Sequence, residues 1–142
     1  VYVNREYDDP VLSDIDELTW GASLTWLPTG LTTVTLSSSR DIRETIVGTA
    51  SGILETGGTV SIDHELLRNL LLNLNISARD EDFEGISRDD DYQSIGLGAK
   101  YLMSRHVYFR ISYNYEERDS DTPGGVNDFT NNVIGLSIQL QP

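Results

Sequence analysis

Hydrophobic and polar residues alternate with a period of two along most of this chain. From Leu70 to Ala78, for example, every even position is apolar, whereas Asn73, Asn75 and Ser77 occupy odd positions. Successive side chains of a β-strand point to opposite faces, so the alternation predicts strands with one apolar and one polar face. The pattern recurs in about eight segments, near 1–7, 17–27, 31–43, 59–66, 70–79, 92–103, 106–117 and 129–140.

The leucine-rich stretch HELLRNLLLNL leaves a helix over 60–78 as an alternative. The asparagines at 69, 73 and 75 are poor helix formers, and the strict alternation after Leu70 favours a strand.

Connections between the predicted strands alternate in length. Short turns are expected at 27–30, 67–69 and 104–105, and long polar loops near 8–16, 44–58, 80–91 and 117–128. Short turns at one end and long loops at the other are typical of outer-membrane barrels. We therefore expect an all-β, antiparallel up-and-down meander that forms all or part of a transmembrane β-barrel. It would be a single domain over 1–142, complete or the C-terminal part of a longer barrel.

The dipeptide Arg-Asp recurs at Arg40, Arg79 and Arg118, at equal intervals of 39 residues. Each copy ends a predicted strand that leads into a long loop, which suggests a duplicated hairpin as the building unit. Arg79 and Arg118 fall on polar faces. Arg40 shares the parity of Val34 and Leu36, which indicates either a bulge or a different register in that strand.

Composition narrows the class of protein. The 142 residues carry 23 acidic and 10 basic side chains, a net charge of −13, which disfavours nucleic acid as a partner. The absence of cysteine excludes disulfides and thiolate metal sites. No apolar run reaches the roughly 18 residues that a spanning helix needs.

The apolar faces fit three environments. In a soluble secreted barrel or sandwich they pack inward, and the protein binds a ligand or calcium. In a structural assembly they contact other subunits, and in a membrane barrel they contact lipid. The aromatic residues favour lipid, because they lie on apolar faces and several are near strand ends, where interfacial girdles form. The predicted lipid-facing aromatics are Trp20, Trp26, Tyr101, Phe109, Tyr113 and Tyr115.

The polar faces of a membrane barrel line its lumen. Their charges have both signs, as expected where side chains pair across a confined space. The predicted lumen-lining residues are Asp63, Glu65, Arg79, Lys100, Arg110, Glu116 and Arg118.

Candidate catalytic and metal-binding motifs are weak. DEDFEGISRDDD (80–91) has the spacing of an EF-hand loop, but predicted strands flank it and its last position is Asp91 instead of Glu. We expect a hairpin loop with Gly85 at the bend and Arg88 paired to a neighbouring carboxylate. His64-Glu65 begins a zinc-protease motif that lacks its second histidine. We expect no catalytic residues, no cofactor and no metal, and hence no enzyme.

A family resemblance becomes visible in DFEGISRDDDYQSIGLGAKYLMSRHVYFRISYNYEERDS (82–120) and DFTNNVIGLSIQLQ (128–141). Both resemble bacterial outer-membrane β-barrel porins that often accompany surface-polysaccharide export. The positions that carry the resemblance are Phe83, Gly85, Arg88, Asp90, Tyr101, Arg105, Tyr113, Arg118 and Ser120. The resemblance implies a non-enzymatic porin-like channel or polysaccharide-export component in the outer membrane of a Gram-negative bacterium. Its partners would be membrane lipid, polysaccharide or small ions, and other protein subunits.

Overall fold

The fold was taken from a computed structural model that describes residues 2–5, 15–43, 52–121 and 128–140. Every regular element in these ranges is a β-strand. The strands are β1 (Tyr2–Arg5), β2 (Ile15–Leu18), β3 (Trp20–Thr29), β4 (Thr32–Arg43), β5 (Gly52–Leu67), β6 (Leu70–Glu84), β7 (Asp89–Leu102), β8 (Val107–Asp121) and β9 (Phe129–Leu140).

No helix in the described ranges is both long and apolar enough to cross a membrane.

The main sheet contains β3 to β9 in sequence order, and each strand pairs antiparallel with the next. This confirms the predicted all-β antiparallel meander, and residues 60–78 belong to β5 and β6 instead of a helix. β1 and β2 form a separate two-stranded sheet. The predicted strand over 17–27 is therefore divided between β2 and β3, with Thr19 between them.

The predicted long loops are shorter than expected. β5 already begins at Gly52, β8 continues to Asp121, and β6 and β7 leave only residues 85–88 as the turn between them. In these segments both faces carry polar residues, so the alternation that marks a strand disappears although the backbone ladder continues. Residues 6–14, 44–51 and 122–127, which hold the remaining parts of three predicted loops, lie outside the described ranges.

Register defines two faces of the main sheet, because residues directly opposite each other in antiparallel strands share a face. One row on the apolar face reads Trp26, Val34, Ile62, Leu74, Leu97, Tyr113 and Ile134. A neighbouring row on the polar face reads Thr25, Thr35, Ser61, Asn75, Gly96, Asn114 and Val133. The segregation extends across all seven strands.

Most large apolar side chains of this sheet are exposed. Leu136 is 77% and Ile134 is 72% accessible. The few buried hydrophobic residues in the described part of the chain are Ile42, Ile53, Leu54 and Phe83, all near the end of the sheet that carries the 85–88 turn. We call this end the loop end, and the opposite end, with the connections at 30–31, 68–69 and 103–106, the turn end. A contiguous exposed apolar face is typical of a surface that contacts a membrane or another protein.

The register also resolves the parity of Arg40. β4 and β5 pair without interruption from Thr32 to Arg43, so no bulge lies at Arg40. Its side chain belongs to the apolar face, opposite Trp20 and Thr56. Thr56 lies opposite Asp80 on β6, so Arg40 and Asp80 occupy the same row. Positions in the same row of β4 and β6 are therefore 40 residues apart in sequence. The Arg-Asp repeat therefore aligns in space for Arg79 and Arg118 only.

Candidate functional site on the polar face

The polar face curves around an open cavity of ≈ 840 Å³ towards the turn end. Strands β5 to β8 supply most of its wall. Five of the seven predicted lumen residues line it: Asp63, Glu65, Lys100, Arg110 and Glu116. The remaining two, Arg79 and Arg118, lie on the same face closer to the loop end. The structure thus places all seven on one face but separates them into two groups.

Small residues on the wall of this cavity leave its centre free of bulky side chains. A Cβ atom added to Gly96 would lie 3.0 Å from Oδ1 of Asn114, tighter than ordinary van der Waals contact. The neighbouring amides are held against the sheet by cross-strand hydrogen bonds. Asn73 donates to Asp63 at 2.9 Å, and Asn75 donates to the Ser61 hydroxyl at 2.8 Å. The cavity therefore presents fixed amide and hydroxyl groups around an open centre.

Three of the charged residues on the cavity wall lie in one row across the strands. Glu65 lies opposite Leu71, which lies opposite Lys100, which in turn lies opposite Arg110. The Lys100 ammonium group is 4.8 Å from the centre of the Tyr108 ring. Neither Lys100 nor Arg110 forms an ion pair with a described residue. Negative charge therefore lies on β5 and positive charge on β7 and β8.

The second group is built on Tyr92. Arg79 and Arg118 flank it on its cross-strand row, with guanidinium carbons 4.3 and 5.3 Å from the ring centre. Arg79 also forms an ion pair with Glu81 at 3.1 Å, although the geometry falls short of a hydrogen bond. Planar guanidinium groups stack well on aromatic rings, so these residues form a packed layer.

Asp90 is the centre of this packed layer. It is fully buried and accepts hydrogen bonds from Arg88 and Arg118, each at 2.6 Å, and from the Ser120 hydroxyl. Burial by itself raises the pKa of the Asp90 carboxyl, but the hydrogen bonds from Arg88, Ser120 and Arg118 outweigh it and lower that pKa. We call Arg88, Asp90, Arg118 and Ser120 the Asp90 network.

The 85–88 turn matches the sequence prediction in two respects. Gly85 has φ 92°, a conformation that favours glycine, and Arg88 pairs with a carboxylate. The role of Asp90 was not predicted. Its signal was present in the resemblance, since all four residues of the network are among its recurring positions, but their contacts depend on a register that spacing alone does not define.

The EF-hand interpretation of 80–91 conflicts with the strand geometry. Asp80, Asp82 and Asp91, at positions 1, 3 and 12 of the motif, share one face, but they lie on the paired strands β6 and β7 and not in a loop. An EF-hand holds its ligands in a 12-residue loop between two helices, whereas here two strands flank a turn of residues 85–88. No group of three or more potential ligands is positioned to hold a metal among the residues described here.

The six predicted lipid-facing aromatics all lie on the apolar face. Tyr101 is opposite Phe109, and Trp20 and Trp26 are on β3. The hydroxyl of Tyr113 donates to Asn132, and that of Tyr115 donates to Glu117. His64 also lies on this face, with Nδ1 2.9 Å from the Thr32 hydroxyl.

Comparisons with known proteins agree with this architecture. Residues 2–142 match the family described as "Putative beta-barrel porin 2". Outer membrane porin PhoE of Salmonella typhimurium is 29% identical over 65 residues, which cover 46% of this chain and 19% of PhoE. OmpT, an outer membrane protein of Vibrio cholerae, superimposes with a TM-score of 0.72 at 13% identity, and its trimer form does so with a TM-score of 0.72 at 14%.

The superposition covers 89% of this chain but only 41% of OmpT, so the chain spans about two fifths of the structure it matches. At that identity OmpT supports the fold alone. The family match extends over almost the whole chain and, with PhoE, supports a location in the bacterial outer membrane. This chain therefore belongs to the "Putative beta-barrel porin 2" family of outer-membrane β-barrel proteins.

Proposed function

We propose that this protein is a passive, non-catalytic channel whose aqueous wall is the polar face of the main sheet. One observation carries the proposal: a polar face that curves around ≈ 840 Å³ lies opposite a face of exposed apolar side chains. In a membrane, the apolar face contacts lipid and the polar face encloses water. The seven predicted charged residues then line the lumen, and the six aromatics contact lipid.

The chemistry of the polar face supports passage of hydrophilic solutes. Fixed amides and hydroxyls, such as those of Asn75, Asn114 and Ser94, replace part of a solute's hydration without binding it tightly. Catalysis would instead require a nucleophile and a base in a shared pocket. The charged groups of the cavity wall, Glu65 and Lys100 among them, are better suited to influence which ions enter.

A narrower role in surface-polysaccharide export follows from the resemblance noted in the sequence. Rows of amide and hydroxyl groups are suited to hydrogen bonding with sugar hydroxyls, which supports this role. It makes a distinct prediction: neutral oligosaccharides should reduce ion current through the open channel reversibly and in a length-dependent manner. Current that is unaffected by neutral oligosaccharides would leave a general channel for small solutes.

The proposal is tested by reconstituting the full chain into planar lipid bilayers. We expect stepwise, ohmic increases in conductance at neutral pH. Ser94→Trp, which adds an indole to the polar face, should lower the conductance of each step. Ile95→Trp is the matched control on the apolar face of the same strand and should leave the step size unchanged. Protein that inserts into the bilayer without conducting would contradict the channel, and equal effects of both tryptophans would contradict the assignment of faces.

A further inference from the structure

Two cations on the cavity wall form no ion pair with a described residue, unlike the other described cations of the polar face. Lys100 and Arg110 lie directly opposite each other on β7 and β8 of the polar face. Like charges in this arrangement repel across the strands and destabilise a sheet. Neither forms an ion pair with any residue in the described ranges. Strand pairing therefore gives no structural reason for placing them together.

The remaining described cations of this face provide the contrast. Arg43 pairs with Glu55, Arg79 with Glu81, and both Arg88 and Arg118 with Asp90. All of these lie towards the loop end, where each positive charge has a carboxylate neighbour. Lys100 and Arg110 lie near the turn end in the open cavity, whose wall also carries the carboxylates of Asp63, Glu65 and Glu116.

We propose that Lys100 and Arg110 form a binding site for one anionic group, a carboxylate or a phosphate carried by a small hydrophilic solute. The site rests on the proposed channel, since the ligand reaches it through an aqueous lumen. Residues directly opposite each other in antiparallel strands have Cβ atoms about 4.5–5.5 Å apart, so both long side chains can reach one anion between them. Arginine matches the planar or tetrahedral oxygens of such groups.

The neighbouring rows on the wall define the rest of the ligand. Gly98 and Ser112 follow in the adjacent row, and Asn114 in the next, so polar groups continue from the cations towards the middle of the sheet. Gly98 leaves space beside Lys100, because even a Cβ atom added to Gly98 would meet nothing closer than the Asn73 Cβ atom, at 3.7 Å. Glu65, two strands away, repels an anion from the β5 side. A solute with one anionic end and a hydroxyl-rich body fits this arrangement.

Inorganic phosphate is the probe for this site. In bilayers that contain the full chain, we measure the phosphate concentration that halves the chloride current, and the reversal potential in a KCl gradient. The variant that carries both Lys100→Gln and Arg110→Gln should require about tenfold more phosphate, which corresponds to about 1.4 kcal/mol. Its reversal potential should move towards that of a more cation-preferring channel.

Two controls separate charge from folding. The variant with Lys100→Arg and Arg110→Lys keeps both charges and should retain block by phosphate. Arg43→Gln removes a cation that is already paired with Glu55 and should leave the block unchanged. An unaltered half-blocking concentration and reversal potential in the double glutamine variant would overturn the anion site while leaving the channel intact. Absence of conductance in the unmodified chain would instead overturn the channel itself, and the site with it.

Discussion

The two ends of the main sheet use the same strands for opposite purposes. At the loop end, β6, β7 and β8 bring Arg88, Asp90 and Arg118 into a closed network in which the carboxylate is fully buried. At the turn end, the same three strands leave Lys100 and Arg110 facing an open cavity, with no ion pair to any residue that the structure describes. The backbone pairing is continuous between the two.

The difference shows that side-chain chemistry, and not the ladder of strands, decides which part of the polar face is structural. Where every charge has a partner, the residues support the hairpin. Where Lys100 and Arg110 form no ion pair with a described residue and the neighbouring residues are small, the face borders an open cavity. The comparison can be tested by removing charges at one end and introducing them at the other.

Asp90→Ala should produce the largest loss of stability. Arg88 and Arg118 would remain in a buried layer without their shared carboxylate, and such a change costs about 3–5 kcal/mol. Because hydrogen bonds hold the pKa of Asp90 below its usual range, its contribution is present at neutral pH and is lost as pH falls through that lowered value. Urea unfolding of the reconstituted protein at neutral and at acidic pH measures both effects.

Asp91→Ala is the matched control for Asp90→Ala. The residue is next in the chain but points to the opposite face, where it lies between Asp80 and Asp119. Removing one of three aligned negative charges should leave stability unchanged or raise it slightly. Similar losses in the two variants would show that the Asp90 network is not what stabilises the loop end.

Leu97→Arg should have the second largest effect. Leu97 lies in the middle of the apolar face between Leu74 and Tyr113, and an arginine there costs about 2–4 kcal/mol if the face contacts lipid. Ser94→Arg places the same side chain on the polar face of β7 and should be tolerated. The measurement is the free energy of unfolding in lipid vesicles. Comparable losses at both positions would argue against a lipid-facing surface.

The sequence predicted the middle of the sheet better than it predicted the loop end. In the middle of the sheet, alternation such as Leu70 to Ala78 identifies both the strand and its faces, because the apolar residues mark every second position. The residues predicted for the lumen accordingly lie on the polar face, and those predicted for lipid lie on the apolar face. The meander was predictable for the same reason.

The loop end was not predictable from pattern. Residues 80–91 are charged on both faces, so the sequence has no apolar period there, and strands were mistaken for a loop. The contact between Asp90 and Arg118 joins residues 28 positions apart, and a slip of one residue would send Arg118 to the other face. Equal spacing was likewise insufficient for Arg40, which the register places on the apolar face.

Two glycines on the edge strands test how crowded the polar face is. A Cβ atom at Gly135 on β9 would lie 2.7 Å from the Ser112 hydroxyl oxygen, whereas Gly21 on β3 has nothing within 4 Å. Gly135→Ala should cost about 1 kcal/mol through overpacking. Gly21→Ala should stabilise by about 0.5 kcal/mol, because alanine loses less backbone entropy on folding. Chemical unfolding measures both. Adding Ser112→Ala to Gly135→Ala should restore stability, and a failure to do so would show that the hydroxyl contact is not the cause.

Asp82→Asn should change the free energy of unfolding least of these variants, and the change should appear mainly in its dependence on pH. Asp82 extends beyond the apolar rows at the loop end, opposite Asp89, and burial together with the hydrogen bond to Asp89 raises its pKa to about 6. Below its ordinary value of 3.8 the carboxyl is protonated in both the folded and the unfolded protein. Between 3.8 and about 6 only the folded state keeps the proton, so stability from this group falls as pH rises through that window. Asparagine does not titrate, and the variant should therefore lose this part of the pH dependence and be slightly more stable at neutral pH. Identical slopes of unfolding free energy against pH in both proteins would place the titrating carboxyl elsewhere on the loop end.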